Sequence, residues 1–405
     1  MEWIKSDKNW LVPVKSWCDD LEESAMKQAI NLAQHPTIFK HVALMPDCHV
    51  GYGMPIGGVI ACKDAVIPNA VGVDIGCGMV AVETSLDAEI FTEMADRRKF
   101  LNQVKELIPV GEGASHKEEQ SWSGFEEYLV EHSEIAEKWP NSLDRKNLGT
   151  LGGGNHFIEL QIDTDNKIWL MIHSGSRNLG YKVASFYHKI ALELNQKFHS
   201  KIPSYDLAFL PTNSSEGQSY IRDMNFALNY AYENRQRMMT NFQLAIKEFV
   251  SHVEFKKEVN IHHNYAALEE HFGEKVWVHR KGATSAKKDE WGIISGSMGT
   301  NSYIVKGLGN CESFCSCSHG AGRVLGRRQA SKTLSVEDCN KAMEGIAFDR
   351  WSKFKNKWKK GKQTQNLYDL SEAPLAYKDI DKVIADELDL IIVKVKLRPL
   401  GVIKG

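Results

Sequence analysis

The chain has 405 residues, 42% hydrophobic and 25% charged, which suits a soluble globular enzyme of one large domain or two ordinary ones. No run approaches the roughly 20 apolar residues of a membrane span, no secretory leader is expected from the opening Met1-Glu-Trp-Ile-Lys-Ser-Asp-Lys, and eight scattered cysteines do not read as a disulfide framework. A cytoplasmic protein is therefore expected, and the net charge of −2 is silent about nucleic acid, because a local patch rather than the total decides that.

Residues 38–84 read as short β-rich runs broken by glycine, such as Gly58-Val-Ile-Ala-Cys62. Within them Val71-Gly-Val-Asp74-Ile-Gly-Cys77-Gly sets a carboxylate and a thiol three residues apart on a glycine-rich turn. Such a turn can aim two ligands at one point, and a thiolate can bridge two metals. The alternative is a turn with a buried cysteine and a capping aspartate. Residues 87–145 are charged and read as helical. Strand text returns over 147–180, with His156 in Leu151-Gly-Gly-Gly-Asn-His-Phe-Ile-Glu and His173 in Ile172-His-Ser-Gly-Ser-Arg. Each histidine stands at the edge of an apolar run beside a glycine turn.

Over 219–252 the residues Met224, Leu228, Ala231, Met238, Phe242, Ile246 and Phe249 fall near helical spacing and predict a core-facing helix. His263 follows in Asn260-Ile-His-His-Asn-Tyr. With Asp74, Cys77, His156 and His173 it completes a candidate ligand set of N, O and S donors. Residues 275–330 return to strand and turn. There Lys281-Gly-Ala-Thr and Ser295-Gly-Ser297-Met-Gly offer a lysine and loop amides for phosphate, while no G-x-x-x-x-G-K-[ST] loop occurs.

His319 lies in Cys315-Ser-Cys-Ser-His-Gly-Ala-Gly-Arg323-Val-Leu-Gly-Arg327. A neutral imidazole is a competent nucleophile. If a helix begins near Gly320, Arg323 and Arg327 share one face and suit phosphate oxygens. The alternative, a zinc knuckle on Cys315 and Cys317, lacks the paired spacing of structural zinc sites. The tail from Glu372 predicts a short helix and a strand over 390–396. His132, His188, His199, His252 and His271 sit in polar helical text and are expected at the surface. Because the chemically loaded segments are far apart in sequence, the expected fold is mixed α/β (α+β), one interwoven domain over 1–405.

Together these blocks resemble the RtcB family of RNA ligases. The match rests on Met45-Pro-Asp-Cys-His-Val-Gly-Tyr-Gly, Val71-Gly-Val-Asp-Ile-Gly-Cys-Gly, Gly154-Asn-His-Phe-Ile-Glu, His173-Ser-Gly-Ser-Arg, His262-His-Asn-Tyr, Arg280-Lys-Gly-Ala, Gly296-Ser-Met-Gly, Ser318-His-Gly-Ala-Gly-Arg and Lys404-Gly. Cys48 stands where the family often has Val or Gly.

The resemblance implies mixed β-sheets layered with helices around a central metal cleft. It also implies joining of RNA 3′-phosphate or 2′,3′-cyclic phosphate ends to 5′-hydroxyl ends, with GTP and two Mn2+ ions, through a histidine–GMP intermediate. Carried over by motif, Asp74, Cys77, His156, His173 and His263 are the metal ligands, with Cys77 bridging. His319 is the guanylylated nucleophile and Asp47 orients it. Asn155, Lys281, Ser297, Arg323 and Arg327 meet phosphates, and Glu159, Tyr377 and Lys404 form the base pocket. Arg177 and His262 are assigned to the RNA ends. On softness such a ligand set prefers zinc or cobalt to manganese.

RNA ligation calls for a basic path, and the lysine-rich run 353–362 is the candidate, with Trp351, Phe354 and Trp358 on one face if it is helical. Two rival readings stay open: a dinuclear phosphoesterase, which has no use for a nucleophilic His319, and a nucleic-acid-binding scaffold without turnover.

Overall fold

A computed structural model of the chain describes residues 1–131, 141–353 and 368–405. Its six-stranded sheet runs β1 (Trp3–Lys5), β2 (Val14–Ser16), β3 (Ile38–His49), β4 (Ile56–Cys62), β12 (Glu274–Lys281) and β11 (Asn264–His271). Alternate residues of β3 and β4 feed different cores, as a pleat requires. Val42, Leu44 and Ile60 meet helix α1 (Glu23–Ala33) on one face, and Ala43, Met45, Val59 and Ala61 join Phe314 and Ile384 on the other. With both faces covered, the strands read as the near-continuous apolar runs seen in the sequence.

The second sheet has the order β10 (Phe255–His262), β6 (Gly78–Asp87), β8 (Lys167–Ser174), β7 (Phe157–Asp163), β18 (Ile391–Lys404), β15 (Ser302–Gly307) and β14 (Trp291–Ile294), with β17 (Ala347–Phe348) pairing parallel to β18. Val82, Leu160, Leu170 and Ile172 pack on α3 (Met94–Leu107) and on the long helix Ser215–Phe249, while Met79, Ala81 and Met171 fill the opposite face. Smaller pairings join β13 (Ala283–Ser285) to β16 (Ser316–Ser318), and β5 (Ala65–Val66) to β9 (Leu210–Pro211). The fold class is mixed α/β, as expected. Among the described residues no helix is long and apolar enough to cross a membrane.

The remaining helices are α2 (Pro68–Val71), α4 (Ser123–Glu131), α5 (Ser142–Asn147), α6 (Arg177–Lys197), α7 (Ser215–Phe249), α8 (Arg327–Thr333), α9 (Val336–Ala342) and α10 (Ile380–Asp386). With 35 residues, α7 is about 50 Å long at 1.5 Å per residue. It starts where the Ser214 side chain accepts from the Gly217 amide, a standard N-cap. Its apolar stripe serves two cores rather than one. Met224 packs with α6 residues Leu179, Val183 and Tyr187, and Met238, Phe242 and Ile246 pack on the second sheet. Asn234 and Arg235 lie between those two stretches, fully buried.

Four expectations are corrected. No helix begins near Gly320: the backbone bridges Ser295 to Gly320 and Arg323 to Tyr377, and α8 starts only at Arg327. The reason is Gly322, whose φ of +71° lies outside the right-handed helical region and where an added Cβ would stand 2.2 Å from the Asp47 carbonyl oxygen. His271 lies on β11 and is buried, with Nε2 3.0 Å from Glu269 Oε2, and His188 is only half-exposed. The last strand runs on to Lys404, which carries that lysine inward. The helix expected from 219 starts at Ser215. Of the lysine-rich run only Lys353 is among the described residues; Phe354, Trp358 and the other lysines lie outside them, as does His132.

Arg280 on β12 ties its neighbour β11 to the segment around β16. Fully buried, it donates to both Glu269 carboxylate oxygens (2.7 and 3.1 Å), the Ser316 hydroxyl (2.9 Å) and the Phe314 carbonyl (3.0 Å). Removing one partner of a buried pair strands the other's charge, at about 3–5 kcal/mol. Arg280→Met is therefore expected to lower the free energy of unfolding obtained from chemical denaturation by an amount of that order, and Glu269→Leu added to it should recover part of the loss. Additive single-mutant effects would contradict this account.

Candidate active site

A cleft of about 450 Å³ opens where strand ends from both sheets meet. The chain crosses from the second sheet to the first at His263, the single residue between β10 and β11. Its amide donates to the Cys77 carbonyl at 2.8 Å, so this crossover lies directly on the Asp74–Cys77 turn. The turn closes with a 3.1 Å bond from the Cys77 amide to the Asp74 carbonyl, and Asn264 braces it from β11. Gly76 has φ +75°, and a Cβ there would stand 2.8 Å from the Ala231 Cβ, so only glycine fits.

The five proposed ligands converge. Cys77 Sγ lies 3.5 Å from His156 Nε2 and 3.2 Å from His173 Nε2; His173 Nε2 lies 3.3 Å from His263 Nε2, and His156 Nε2 3.1 Å from Asp74 Oδ2. Two groups able to hold a cation result, Asp74–Cys77–His156 and Cys77–His173–His263, and Cys77 belongs to both. The tautomers suit coordination. Nδ1 of His156 meets the Leu151 carbonyl at 2.9 Å and Nδ1 of His173 the Asn155 carbonyl at 3.2 Å. A carbonyl accepts only from N–H, so the proton sits on Nδ1 and the Nε2 lone pairs face the sulfur.

Burial pushes His173 and His263 well below the usual histidine range, which keeps them neutral. Burial, followed by the Asp74 charge, pushes the Cys77 thiol up. A bound cation reverses that preference by making the thiolate the stable form.

The support beneath these ligands comes from α7 and was not anticipated from sequence. Arg235 donates to the Gly76 carbonyl (2.8 Å), the Ser174 carbonyl (3.0 Å) and Asn260 Oδ1 (2.9 Å), and lies 3.1 Å from His262 Nδ1. Asn234 accepts from the Gly149 and Thr150 amides and donates to the Gly175 carbonyl at 3.1 Å. A signal did exist, because Arg235 falls in phase with the apolar stripe, four residues after Ala231 and three before Met238.

His319 follows β16 directly. Its Nδ1 is 2.6 Å from Asp47 Oδ2, which also accepts from the His319 amide at 3.2 Å. Nδ1 thus carries the proton and Nε2 the lone pair. The ring lies 4.8 Å, centroid to centroid, from that of His263, so the candidate nucleophile adjoins the ligand cluster. Gly282 makes room for it: a Cβ there would stand 3.0 Å from His319 Cε1.

A second residue missed in the sequence, Glu372, gathers the candidate nucleotide-binding cations. Its Oε1 accepts from Arg323 (3.2 Å) and Arg327 (2.9 Å), Lys404 lies 3.4 Å from Oε2, and the Tyr377 hydroxyl donates to that same oxygen. Burial alone would raise this carboxyl, but Lys404 and the two arginines hold it down at about 2. Glu159 is the opposite case. Burial lifts it to about 8 against the weaker pull of Lys404, and it accepts from Gln161 at 2.6 Å. Lys281 is brought down to about 7 by burial, and its ammonium donates to the carbonyls of Tyr52 and Asn69.

Asn155, Lys281, Ser297, His319, Arg323, Arg327, Tyr377 and Lys404 line the cleft with Asp74, Cys77, His173 and His263; His156, Asp47 and Glu159 stand behind that lining. Arg177 and His262 are not part of it. Arg177 packs on Gly152 and donates to the Thr150 hydroxyl, and His262 is tied to Arg235 and near the Gly76 carbonyl.

A family profile described as "tRNA-splicing ligase RtcB" matches residues 28–405. The "RNA-splicing ligase RtcB" of Escherichia coli (strain K12) is 40% identical, with 97% of each chain covered. The "tRNA-splicing ligase RtcB" of Nanoarchaeum equitans is 32% identical over 97% of this chain and 95% of its own, and that of Thermococcus kodakarensis 31% identical over 99% and 96%.

Groups that orient metal ligands through a second hydrogen bond typically change metal affinity about 10–100-fold when removed. Arg235→Met is expected to weaken divalent-metal binding by that factor in isothermal titration with Co2+ or Zn2+. Unchanged affinity in a folded variant would show that the Gly76 and Ser174 carbonyls need no such anchor.

Proposed function

The chain belongs to the RtcB family of RNA-splicing ligases, and from that membership we propose that it is an RNA ligase joining 3′-phosphate or 2′,3′-cyclic phosphate ends to 5′-hydroxyl ends with GTP and two Mn2+ ions. The observation that carries the reading is the 2.6 Å His319–Asp47 contact beside the ligand cluster. It directs a lone pair into the cleft where the candidate metal ligands and the arginine–lysine group meet.

In this reading His319 Nε2 attacks the α-phosphorus of GTP. A P–N bond forms, the bond to the β-phosphate oxygen breaks, and pyrophosphate leaves. Asp47 stabilises the imidazolium that develops, through the Nδ1 proton it already accepts. An oxygen of the RNA 3′-phosphate, which a 2′,3′-cyclic end supplies once water adds to its phosphorus and the P–O2′ bond breaks, then attacks the same phosphorus, breaking P–N and giving an RNA 3′-ppG end. Finally the 5′-hydroxyl attacks the RNA phosphorus, GMP leaves, and a phosphodiester remains.

Asp74, Cys77, His156, His173 and His263 would hold the two ions, shared at Cys77, and bound metal supplies charge neutralisation and in-line alignment of attacking and leaving oxygens. Arg323, Arg327, Lys281, Asn155 and Ser297 meet phosphates, and Glu159, Tyr377 and Lys404 receive guanine. Arg177, whose charge Asp74 feels, and His262 are assigned to the RNA ends. The chain acts as one catalytic unit over 1–405, because its site draws on residues from Asp47 to Lys404. Its setting is the cytoplasm and its role tRNA splicing or RNA repair. A phosphoesterase would use the same ligands but leaves the His319–Asp47 pair without a task.

GTP labelled at the α-phosphate, incubated with Mn2+, should leave an acid-labile, base-stable label on the wild type and none on His319→Ala. Equal labelling of both would move the nucleophile elsewhere, and label on neither would favour the phosphoesterase.

A second expectation concerns pH. Guanine donates N1–H and N2–H, which the two oxygens of an ionised Glu159 accept together, whereas a protonated one has turned one of those oxygens into a donor. Free Glu159 titrates at about 8, so at pH 7 GTP binding must release its proton. Affinity should rise from pH 6 towards 8 and then level, and Glu159→Gln should weaken binding and flatten the curve. A pH-independent wild-type affinity would remove Glu159 from the base pocket.

A further inference from the structure

Behind His319 lies a second carboxyl group that the reaction above does not use. Glu387 caps the end of α10, is completely buried, and accepts from the Ser318 amide at 2.8 Å through Oε2. Asp47, equally buried on β3, accepts from the next two amides, His319 at 3.2 Å and Gly320 at 3.4 Å, as well as from the ring. Three successive backbone donors around the candidate nucleophile are therefore taken by two carboxyl groups from distant parts of the chain.

This stretch needs such anchoring. β16 is three residues long and, among the described residues, pairs with the equally short β13 alone. The turn before it holds two consecutive non-glycine residues in the left-handed region, Phe314 at φ 52° and Cys315 at φ 50°, a conformation that costs energy for such residues.

We propose that Glu387 is a positioning residue for His319: its carboxyl, with that of Asp47, clamps the amides of Ser318, His319 and Gly320 and so aims the imidazole into the cleft. The inference rests on the reading of His319 as nucleophile.

Glu387 performs this task as a neutral acid. The titratable groups facing it are Asp47 from β3, Cys317 from β16 and Asp389 from its own loop, and all of these are acids. Burial, with Asp47 adding to it, pushes the Glu387 carboxyl well above the usual range. Among the described residues Glu387 Oε1 and Asp47 Oδ1 are buried carboxyl oxygens that lack a hydrogen-bond partner, and a proton on Glu387 adds a donor between two acceptor groups. It also keeps a second negative charge from forming behind the ring, whose Nδ1–H is held by its bond to Asp47.

The test compares wild type, Glu387→Ala and Glu387→Gln in the full chain, with two readouts. One is single-turnover guanylylation at varied GTP and pH. The other is the NMR resonance of the proton between His319 Nδ1 and Asp47. Small misplacements of a reacting group cost about 100-fold in rate, so Glu387→Ala is expected to lose about that in the rate constant and to shift or broaden the resonance. Its KM for GTP should stay within about threefold, since nucleotide binding is not what is lost.

Glu387→Gln keeps an acceptor for the Ser318 amide and a neutral donor, so it is expected to rescue rate, pH profile and resonance. Wild-type behaviour of Glu387→Ala would overturn the positioning role, and a Gln variant as slow as Ala, with the resonance lost, would overturn the neutral acid. If Glu387→Ala fails to fold, the Gln comparison decides. If the wild type takes no label, guanylylation fails as a reading, and the resonance alone decides: unchanged in Glu387→Ala, it rejects the clamp.

Discussion

A single guanidinium beneath the cleft organises most of what stands above it. Arg235 is wholly buried, and a buried cation is tolerated only when its donors are all engaged. Its acceptors are the carbonyls of Gly76 and Ser174, next to Cys77 and His173, together with Asn260 near His263. The need to satisfy that charge thus pulls three separate ligand segments onto one helix. Asn234, one residue earlier, does the same for the 149–150 turn that leads to His156. Burial brings the Arg235 side chain down to about 10, which leaves it charged at neutral pH.

The rest of the cleft follows the same logic with signs exchanged. The cations that would face the nucleotide, Arg323 and Arg327 at its phosphates and Lys404 at its base, all converge on Glu372. One carboxylate keeps them from repelling each other and from scattering into solvent, so their geometry is preset before any anion arrives. The ionised Glu372 and the largely protonated Glu159 illustrate how neighbours rather than residue type set the charge. Three cationic neighbours surround the first, and mainly apolar burial the second.

Backbone routing supplies the remaining precision. The two sheets exchange the chain at His263, and β12 ends at Lys281 where Gly282 leaves room for the His319 ring. Side chains from widely separated segments therefore share one small volume without a long loop to position any of them. Strand ends and tight turns are stiffer than loops, which suits a site whose ligand atoms lie 3.1–3.5 Å apart.

What the sequence determined by itself was the chemistry-bearing set and the class of fold. Asp74 and Cys77 among glycines, His156 and His173 at strand edges, and His319 among small residues are local patterns, and local patterns are visible in a linear text. So was the apolar periodicity of α7. Tertiary structure alone decided which of these residues meet. It placed Arg235 and Asn234 at the core of a helix whose phase merely permitted it. It ran β18 on to bring Lys404 inward, kept residues 320–323 out of a helix because Asp47 crowds Gly322, and set Glu372 opposite Arg323 and Arg327, 49 and 45 residues away, and Glu387 opposite Ser318, 69 residues away. The physical reason is common to all of them. A buried charge or amide takes its partner from whatever the fold brings within 3 Å, and sequence separation carries no record of that distance.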